Sequence, residues 1–123
     1  MGELKELAAE AKHELLTHII PFWRGMRDDK FGGYYGYLSY DLALDEKAEK
    51  GCILNSRITW FFANAYLLYK DGGISEEECE AAGFKGEDLL AEAKHGYEFL
   101  REHCIDKEYG GIFWSLNLSL IHI

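Results

Sequence analysis

The sequence has few basic side chains and no long apolar run, and both shortages exclude classes of protein. Lysine and arginine number 13 against 22 acidic residues, so the formal net charge is −9. Because phosphate backbones are bound by clustered basic residues, we expect no nucleic-acid partner. No apolar run approaches a membrane span, and Glu3, Glu6 and Glu10 occupy the place of a signal-peptide core. We therefore expect no membrane partner and a cytoplasmic location.

Cysteine and proline are also scarce. The three cysteines, Cys52, Cys79 and Cys104, form no Cys-x-x-Cys pair, so we expect neither a disulfide framework nor a zinc site. They are interpreted as reduced, mostly buried thiols of a cytosolic protein. Pro21 is the single proline, and we expect it, followed by Gly25, to end the first helix. There is no glycine loop of the kind that binds nucleotides.

Aromatic and apolar residues, in contrast, are plentiful. Hydrophobic residues make up 48% of the chain and aromatic residues 15%, which is typical of a globular protein and excludes a disordered tail. An acidic, aromatic-rich chain suits a neutral ligand better than an anionic one. Sugars are one such class of ligand, because their rings stack on aromatic faces.

One motif occurs twice, at residues 28–35 and 106–113. The first copy reads Asp-Asp-Lys-Phe-Gly-Gly-Tyr-Tyr and the second Asp-Lys-Glu-Tyr-Gly-Gly-Ile-Phe. Gly32 and Gly110 are 78 positions apart (110 − 32). Each copy follows a helical pattern and leads into a short extended segment. This period predicts a ring of α-hairpins, in which one unit cannot bury its apolar face alone.

Three stretches have helical periodicity. Residues 4–19 form an amphipathic pattern, and residues 53–70 form a pattern that is apolar nearly all round. We interpret the second as an inner helix that is buried on most sides. A capped turn with Ser75 as N-cap and Glu78 three residues on precedes the third helix, residues 87–104. The third helix has a charged face, so it is an outer helix, and its predicted buried face contains Leu89, Leu90, Ala93, Tyr97 and Leu100.

Short strands are predicted after both Gly-Gly turns. The first strand leads to a hairpin whose tip we place near residues 45–47, and the second covers residues 112–114. The fold class is therefore all-α, with short β-hairpins at the Gly-Gly turns. The residues assigned to the first strand are Tyr34, Tyr35, Tyr37, Leu38 and Tyr40.

Arg57 is the strongest candidate for chemistry. It lies within the most apolar helix, with Trp60 three positions on and Asn55 two positions before it. Because burying an unpaired guanidinium is costly, it must meet an anion, a carbonyl or a ligand. The sequence leaves open whether that partner is structural or a substrate. Asn55 and Trp60 are substrate-binding candidates beside it.

The aromatic residues after the two turns are candidates for sugar stacking. Tyr35 and Phe113 occupy equivalent places in the repeat, and Trp114 follows directly. Ordinary packing is the alternative for each of them. The histidines do not share metal-ligand spacing and are expected at the surface or rim; they are His13, His18, His95 and His103.

Four motifs together resemble the N-acylglucosamine 2-epimerase superfamily, and within it the cellobiose 2-epimerases. They are Ile-Ile-Pro-Phe-Trp (19–23), Phe-Gly-Gly-Tyr-Tyr-Gly (31–36), Lys-Gly-Cys-Ile-Leu-Asn-Ser-Arg-Ile-Thr-Trp (50–60) and Tyr-Gly-Gly-Ile-Phe-Trp (109–114). The resemblance runs in order over most of the chain. It covers about the first third of the family's usual length.

The resemblance implies an (α/α)6 barrel and a reaction that needs no cofactor. In that reaction C2 of the reducing-end sugar of a β-1,4-linked disaccharide is inverted through an enediolate, with histidines moving the proton. It also implies that Arg57 lies at the reactive end of the substrate and that Phe113 lines the pocket. The catalytic histidines of the family lie on later helices, and none of this chain's own histidines matches their motifs.

We therefore expect residues 1–117 to be the N-terminal portion of one barrel domain, inactive on its own. Residues 118–123 match the translated end of a transposon used in preparing sequencing libraries, so we expect a non-native tail there. Two alternatives stay open. The parent protein could act on N-acylglucosamine or mannose, or the chain could be a non-catalytic sugar-binding domain.

Overall fold

Helices make up most of the chain, as the sequence predicts. The computed structural model describes residues 2–36, 38–41, 43–45 and 48–116, so the tail predicted at 118–123 lies outside it. None of the helices in these ranges is long and apolar enough to cross a membrane. In order, the elements are α1 (Gly2–Glu14), a π-helical turn (Leu15–Ile19), α2 (Ile20–Gly25), β1 (Lys50–Gly51), α3 (Cys52–Lys70), α4 (Glu76–Ala81), α5 (Gly86–Phe99), a second π-helical turn (Leu100–Cys104) and β2 (Ser115–Leu116).

The first helical segment continues through Pro21, so the prediction that this proline ends the helix was wrong. A proline donates no backbone hydrogen bond, and its ring collides with the carbonyl four residues before it in a regular α-helix. Here the wider turn Leu15–Ile19 comes directly before it, and the Ile20 N–H donates to the Leu15 carbonyl oxygen. The π turn thus makes room for the proline, and α2 ends at Gly25 as predicted.

α3 and α5 form an antiparallel helical hairpin that holds the main core. A side chain at Gly96 would meet Thr59, and one at Gly86 would meet Tyr69, so the two helices run in opposite directions at close approach. The capping box that begins α4 is present as predicted, with Ser75 and Glu78 bonding each other's backbone N–H. The largest apolar side chains of the core are Ile20, Met26, Tyr34, Ile58, Phe62, Ile74, Phe84 and Leu89.

The buried face of α5 differs from the predicted one. Tyr97, which we assigned to it, is half-exposed, whereas Glu92, Gly96 and Phe99 are buried beside Leu89 and Ala93. Gly96 allows α3 to come close, and Glu92 is drawn inward by arginine partners. The buried face of α5 is therefore rotated about the helix axis relative to the face that apolar spacing alone predicts.

α3 buries one face only, so the prediction that it is buried on most sides was wrong for this chain. Its buried face contains Cys52, Asn55, Ile58, Phe62 and Ala65. The opposite face is solvent-exposed over the length of the helix, and we call it the open face. It consists of Ile53, Arg57, Trp60, Asn64, Leu67 and Leu68.

The extended segments are shorter than predicted. After the first turn they are isolated antiparallel bridges, Arg27 with Tyr34 and Leu38 with Leu44. The chain therefore reverses between residues 39 and 43, before the predicted tip at 45–47, part of which lies outside the described residues. After the second turn, β2 pairs antiparallel with β1, which joins it to the start of α3.

Candidate functional site

The two Gly-Gly turns have the same backbone hydrogen bonds. In the first turn (residues 28–35), the Asp28 N–H donates to the Gly33 carbonyl at 3.0 Å and the Gly32 N–H to the Asp28 carbonyl at 3.2 Å. In the second turn (residues 106–113) the corresponding distances are 2.9 and 2.8 Å. All four glycines have positive φ, between 68° and 89°, which other residues resist. The structure thus confirms the predicted repeat.

A buried ion pair holds the first turn. The Lys50 ammonium, at the end of β1, donates to the Asp28 carboxylate and, at 2.7 Å, to the Gly32 carbonyl oxygen. Both side chains are shielded from solvent. Burial works to raise the pKa of Asp28, but hydrogen bonds from Lys50 and from the backbone outweigh it and lower that pKa. Lys50 thereby fixes the turn to the strand that leads into α3.

Asn55 fixes the same turn to α3. Its Oδ1 accepts from the Tyr34 N–H at 2.8 Å, and its Nδ2 donates to the Gly51 carbonyl at 2.9 Å. The residue is fully buried. The structure therefore places this predicted substrate-binding residue in the interior. There its amide holds the first Gly-Gly turn against the N-terminal end of α3.

Glu92 of α5 joins the first turn to α2, and sequence reasoning missed it. Its carboxylate accepts from Arg24 at 3.0 Å, from Arg27 at 3.2 Å and from the Tyr34 hydroxyl at 2.9 Å. Burial and this carboxylate raise the pKa of Tyr34 far above its ordinary value, so the phenol stays protonated. No local pattern could reveal it, because Arg24 and Arg27 lie far from Glu92 in sequence.

His95 also contacts the first turn. Its Nε2 lies 2.8 Å from the Gly33 carbonyl oxygen, so that nitrogen carries the proton and donates it. The ring packs edge-on against Tyr34. We expected this histidine at the surface or rim, but it is half-buried and structural.

A shallow groove of about 220 Å³ lies where the second turn meets the start of α3. Two backbone hydrogen bonds shape it: Phe113 N–H to the Cys104 carbonyl at 2.8 Å, and Cys52 N–H to the Trp114 carbonyl at 3.1 Å. Predicted site residues Phe113 and Trp114 both line this groove. Its walls are Cys52, Ile53, Ser56, Ile112, Phe113 and Trp114.

Arg57 and Trp60 lie on the open face and do not line the groove; each is one turn of α3 beyond a wall residue, Ile53 and Ser56 respectively. Arg57 is exposed and directly follows Ser56 of the groove wall, and Trp60 is 69% exposed. Within the described part of the chain, the Arg57 guanidinium has no hydrogen-bond or ion-pair partner. The expectation that it is buried was therefore wrong.

Tyr35 lies apart from the groove. It is half-buried against the main core, and the Lys50 ammonium lies 5.6 Å from its ring centroid. The Tyr35 N–H donates to the Met26 carbonyl oxygen at 2.7 Å, and the N–H of its repeat equivalent, Phe113, donates to the Cys104 carbonyl oxygen at 2.8 Å. Phe113, however, faces the groove. The repeat therefore places the two residues equivalently in the backbone but in different surroundings.

The two thiols near the groove, Cys52 and Cys104, are buried. Burial raises the pKa of Cys52, and burial together with its contact with Cys52 raises the pKa of Cys104. All three cysteines are buried and free, so the prediction of buried thiols is confirmed. In the described ranges, no three histidine, cysteine or acidic side chains come together as a metal site. The groove therefore offers aromatic surface, the Ser56 hydroxyl and one nearby guanidinium.

Known proteins similar to this chain are sugar epimerases. No protein-family model matches it. It is 49% identical over 113 residues to the cellobiose 2-epimerase of Ruminococcus albus. This aligned region covers 92% of this chain and 25% of the relative. It is 48% identical over 106 residues to the cellobiose 2-epimerase of Eubacterium cellulosolvens, covering 86% of this chain and 22% of the relative.

The fold is similar as well. The solved structure of cellobiose 2-epimerase from Bacillus thermoamylovorans B4167 superposes with a TM-score of 0.77 at 36% identity, over 92% of this chain and 25% of that one. The helical chain thus matches part of an (α/α)6 barrel. It spans about a quarter of the length of the curated relatives it matches.

Proposed function

We propose that the chain is the N-terminal part of a carbohydrate epimerase. Nearly its whole length is homologous to cellobiose 2-epimerases, and the match covers about a quarter of the length of each of them. The parent enzyme inverts C2 of the reducing-end sugar of cellobiose or a similar β-1,4-linked disaccharide. That homology carries the proposal, and the exposed guanidinium of Arg57, which has no partner among the described residues and lies one helical turn from the groove wall, supports it.

The proposed reaction is a proton transfer at C2. Once the sugar ring opens, one histidine removes the C2 proton, which leaves a cis-enediolate, and a second histidine returns a proton to the opposite face. Both histidines belong to the part of the enzyme outside this chain. What this chain contributes is Arg57, whose fixed positive charge stabilises the developing negative charge on the enediolate oxygens.

The chemistry of arginine suits that role. Its planar fork can donate two parallel hydrogen bonds to neighbouring oxygens, and it stays protonated at every physiological pH. Arg57 has no carboxylate partner among the described side chains. Asn55, two positions before it, is held by the first turn, which fixes the helix that presents the guanidinium.

The groove residues provide the proposed sugar-binding surface. Trp114, which is 80% exposed, together with Phe113 and Trp60 offers aromatic faces on which sugar rings stack. Phe113 has no hydroxyl, so it contributes contact area rather than a hydrogen bond. Tyr35 and Asn55 do not line the groove; their proposed role is to position the first Gly-Gly turn and α3.

The proposed partner is thus a small neutral sugar, and the proposed location is the cytoplasm. The net charge of −9 suits a neutral ligand better than a nucleic acid. The three buried thiols are free, as expected in a reducing compartment.

The experiment is an Arg57→Lys substitution in the parent enzyme, whose reading frame is extended from the genomic locus. Because lysine lacks the planar fork, we expect turnover of cellobiose to fall by about 10²-fold or more while the circular dichroism spectrum stays unchanged. Arg101→Lys is the matched control, since Arg101 is an exposed arginine that lies over Tyr97 and does not line the groove. Equal turnover in the Arg57 variant and this control would contradict the proposed role.

A further inference from the structure

The second Gly-Gly turn has the backbone of the first but lacks its side-chain partners. In the first turn, Lys50 bonds the second carboxylate oxygen of Asp28 and the Gly32 carbonyl. Asn55 bonds the N–H of Tyr34 and lies 3.5 Å from its carbonyl oxygen. Four polar groups of the first turn are thus satisfied by two side chains, one in β1 and one in the first turn of α3.

The equivalent groups of the second turn have no such side-chain partners among the described residues. Oδ1 of Asp106 accepts from the Glu108 and Tyr109 N–H groups at 3.0 Å, as Asp28 does in its own turn. Oδ2 of Asp106, the Gly110 carbonyl and the N–H and carbonyl of Ile112 have no partner among the residues that the structure describes.

The apolar side chain of the second turn is exposed, whereas its equivalent in the first turn is buried. Ile112 is 66% exposed, whereas its equivalent, Tyr34, is completely buried. A side chain added at Gly33 would collide with Asn55 and Phe99, but one at Gly111 would meet open space. The second turn therefore presents, preformed, the surface that the first turn buries.

We propose that this surface is the docking site of the next inner helix of the parent polypeptide. That segment brings a lysine to Asp106 and the Gly110 carbonyl, and about five positions later an asparagine, or another side chain with both a donor and an acceptor, to the backbone of Ile112. The spacing is that of Lys50 and Asn55 (55 − 50) in the repeat unit already formed. This inference rests on the proposed function, because it requires a longer parent chain.

A second copy of this chain is not a suitable occupant. To fill the site it would have to present the same lysine and asparagine. In each chain Lys50 and Asn55 are fully buried and already engaged by the first turn. Only a segment with its own pair can supply the missing contacts.

The test is Asp106→Asn in the full parent polypeptide, read by amide hydrogen exchange at Ile112 and by the unfolding midpoint. Asparagine keeps the Oδ1 acceptor, so the turn itself should persist, but the new lysine loses its counter-charge. We expect exchange at Ile112 to rise by at least about tenfold and the midpoint to fall. Glu108→Gln, a neighbouring exposed carboxylate, is the control and should change neither.

Two results would overturn the inference. One is a parent whose Ile112 amide exchanges as fast as in the isolated chain, and the other is an Asp106→Asn variant that matches its control. If that parent still epimerises cellobiose, the docking inference alone fails. If the locus encodes no further helical hairpins, the proposed function fails as well. Slow exchange in a parent without epimerase activity would support the docking site and reject only the activity.

Discussion

At the scale of single residues, the candidate site depends on buried polar side chains that no local sequence pattern indicates. Arg57 stood out because it interrupts an apolar helix. Glu92 and Lys50 did not, because their partners are distant in the sequence and a charged side chain is usually solvated. Arg57, the proposed ligand-contacting residue, was therefore easier to single out than the buried residues that hold the elements in place.

Asn55→Ala should destabilise the chain, because it leaves the buried Tyr34 N–H without an acceptor. An unsatisfied buried donor costs about 1–3 kcal/mol. Urea unfolding of the chain measures this loss. Asn64→Ala is the matched control, since Asn64 is exposed and donates only to the Trp60 carbonyl in its own helix. Equal midpoints for the two variants would refute the holding role of Asn55.

Asp28→Asn should change how stability depends on pH. The folded-state pKa of Asp28 is below its ordinary value of 3.8, so the carboxylate adds stability above that pH. This contribution is lost as the pH falls through the lower, folded-state pKa. The variant should lose about 3–5 kcal/mol near neutral pH, because Lys50 stays buried without a counter-charge.

The loss caused by Asp28→Asn should shrink in acid, where the native carboxyl is protonated too. Unfolding titrations at a series of pH values measure it. Asp29→Asn is the control, since Asp29 pairs with Arg27 at the surface, where ion pairs contribute little. A loss that is the same at every pH would show that the charge of Asp28 is unimportant.

At the scale of elements, helical periodicity predicted the helices well and their exact faces less well. Residues 53–70 were predicted and α3 is Cys52–Lys70. The course through Pro21 could not be predicted, because a π turn has no sequence signature and proline usually stops a helix. The tip of the hairpin was misplaced because it depends on the register of Leu38 with Leu44, which local turn preferences do not determine.

Gly96→Ala tests the close approach of α3 and α5. Alanine normally stabilises a helix by about 1 kcal/mol relative to glycine, but here its methyl group would overlap Thr59. We expect a net loss of about 1–3 kcal/mol, measured by thermal unfolding. Gly25→Ala is the control, because a side chain there meets nothing, and it should be neutral or stabilising. A gain at Gly96 would contradict the packing described.

At the scale of the whole molecule, the described residues form the α3–α5 hairpin and the helical segment before it, and several apolar surfaces are exposed, including Leu4 and Leu7 of α1. The open face of α3 and the second Gly-Gly turn both expose large side chains, including Trp60, Leu67 and Ile112. Such surfaces mark interfaces in folded proteins. The chain matches about a quarter of its relatives' length, and in the proposed longer enzyme these two surfaces would meet further parts of the polypeptide and the sugar.

The most direct measurement is deuterium incorporation by the parent enzyme acting on cellobiose in heavy water. If C2 is deprotonated and reprotonated as proposed, the product is the C2 epimer and carries solvent deuterium at C2, which NMR and mass spectrometry detect. The isolated chain, which contributes Arg57 but not the proton-transfer histidines, should give no product. An epimer with only hydrogen at C2, or no epimer from the parent, would contradict the account.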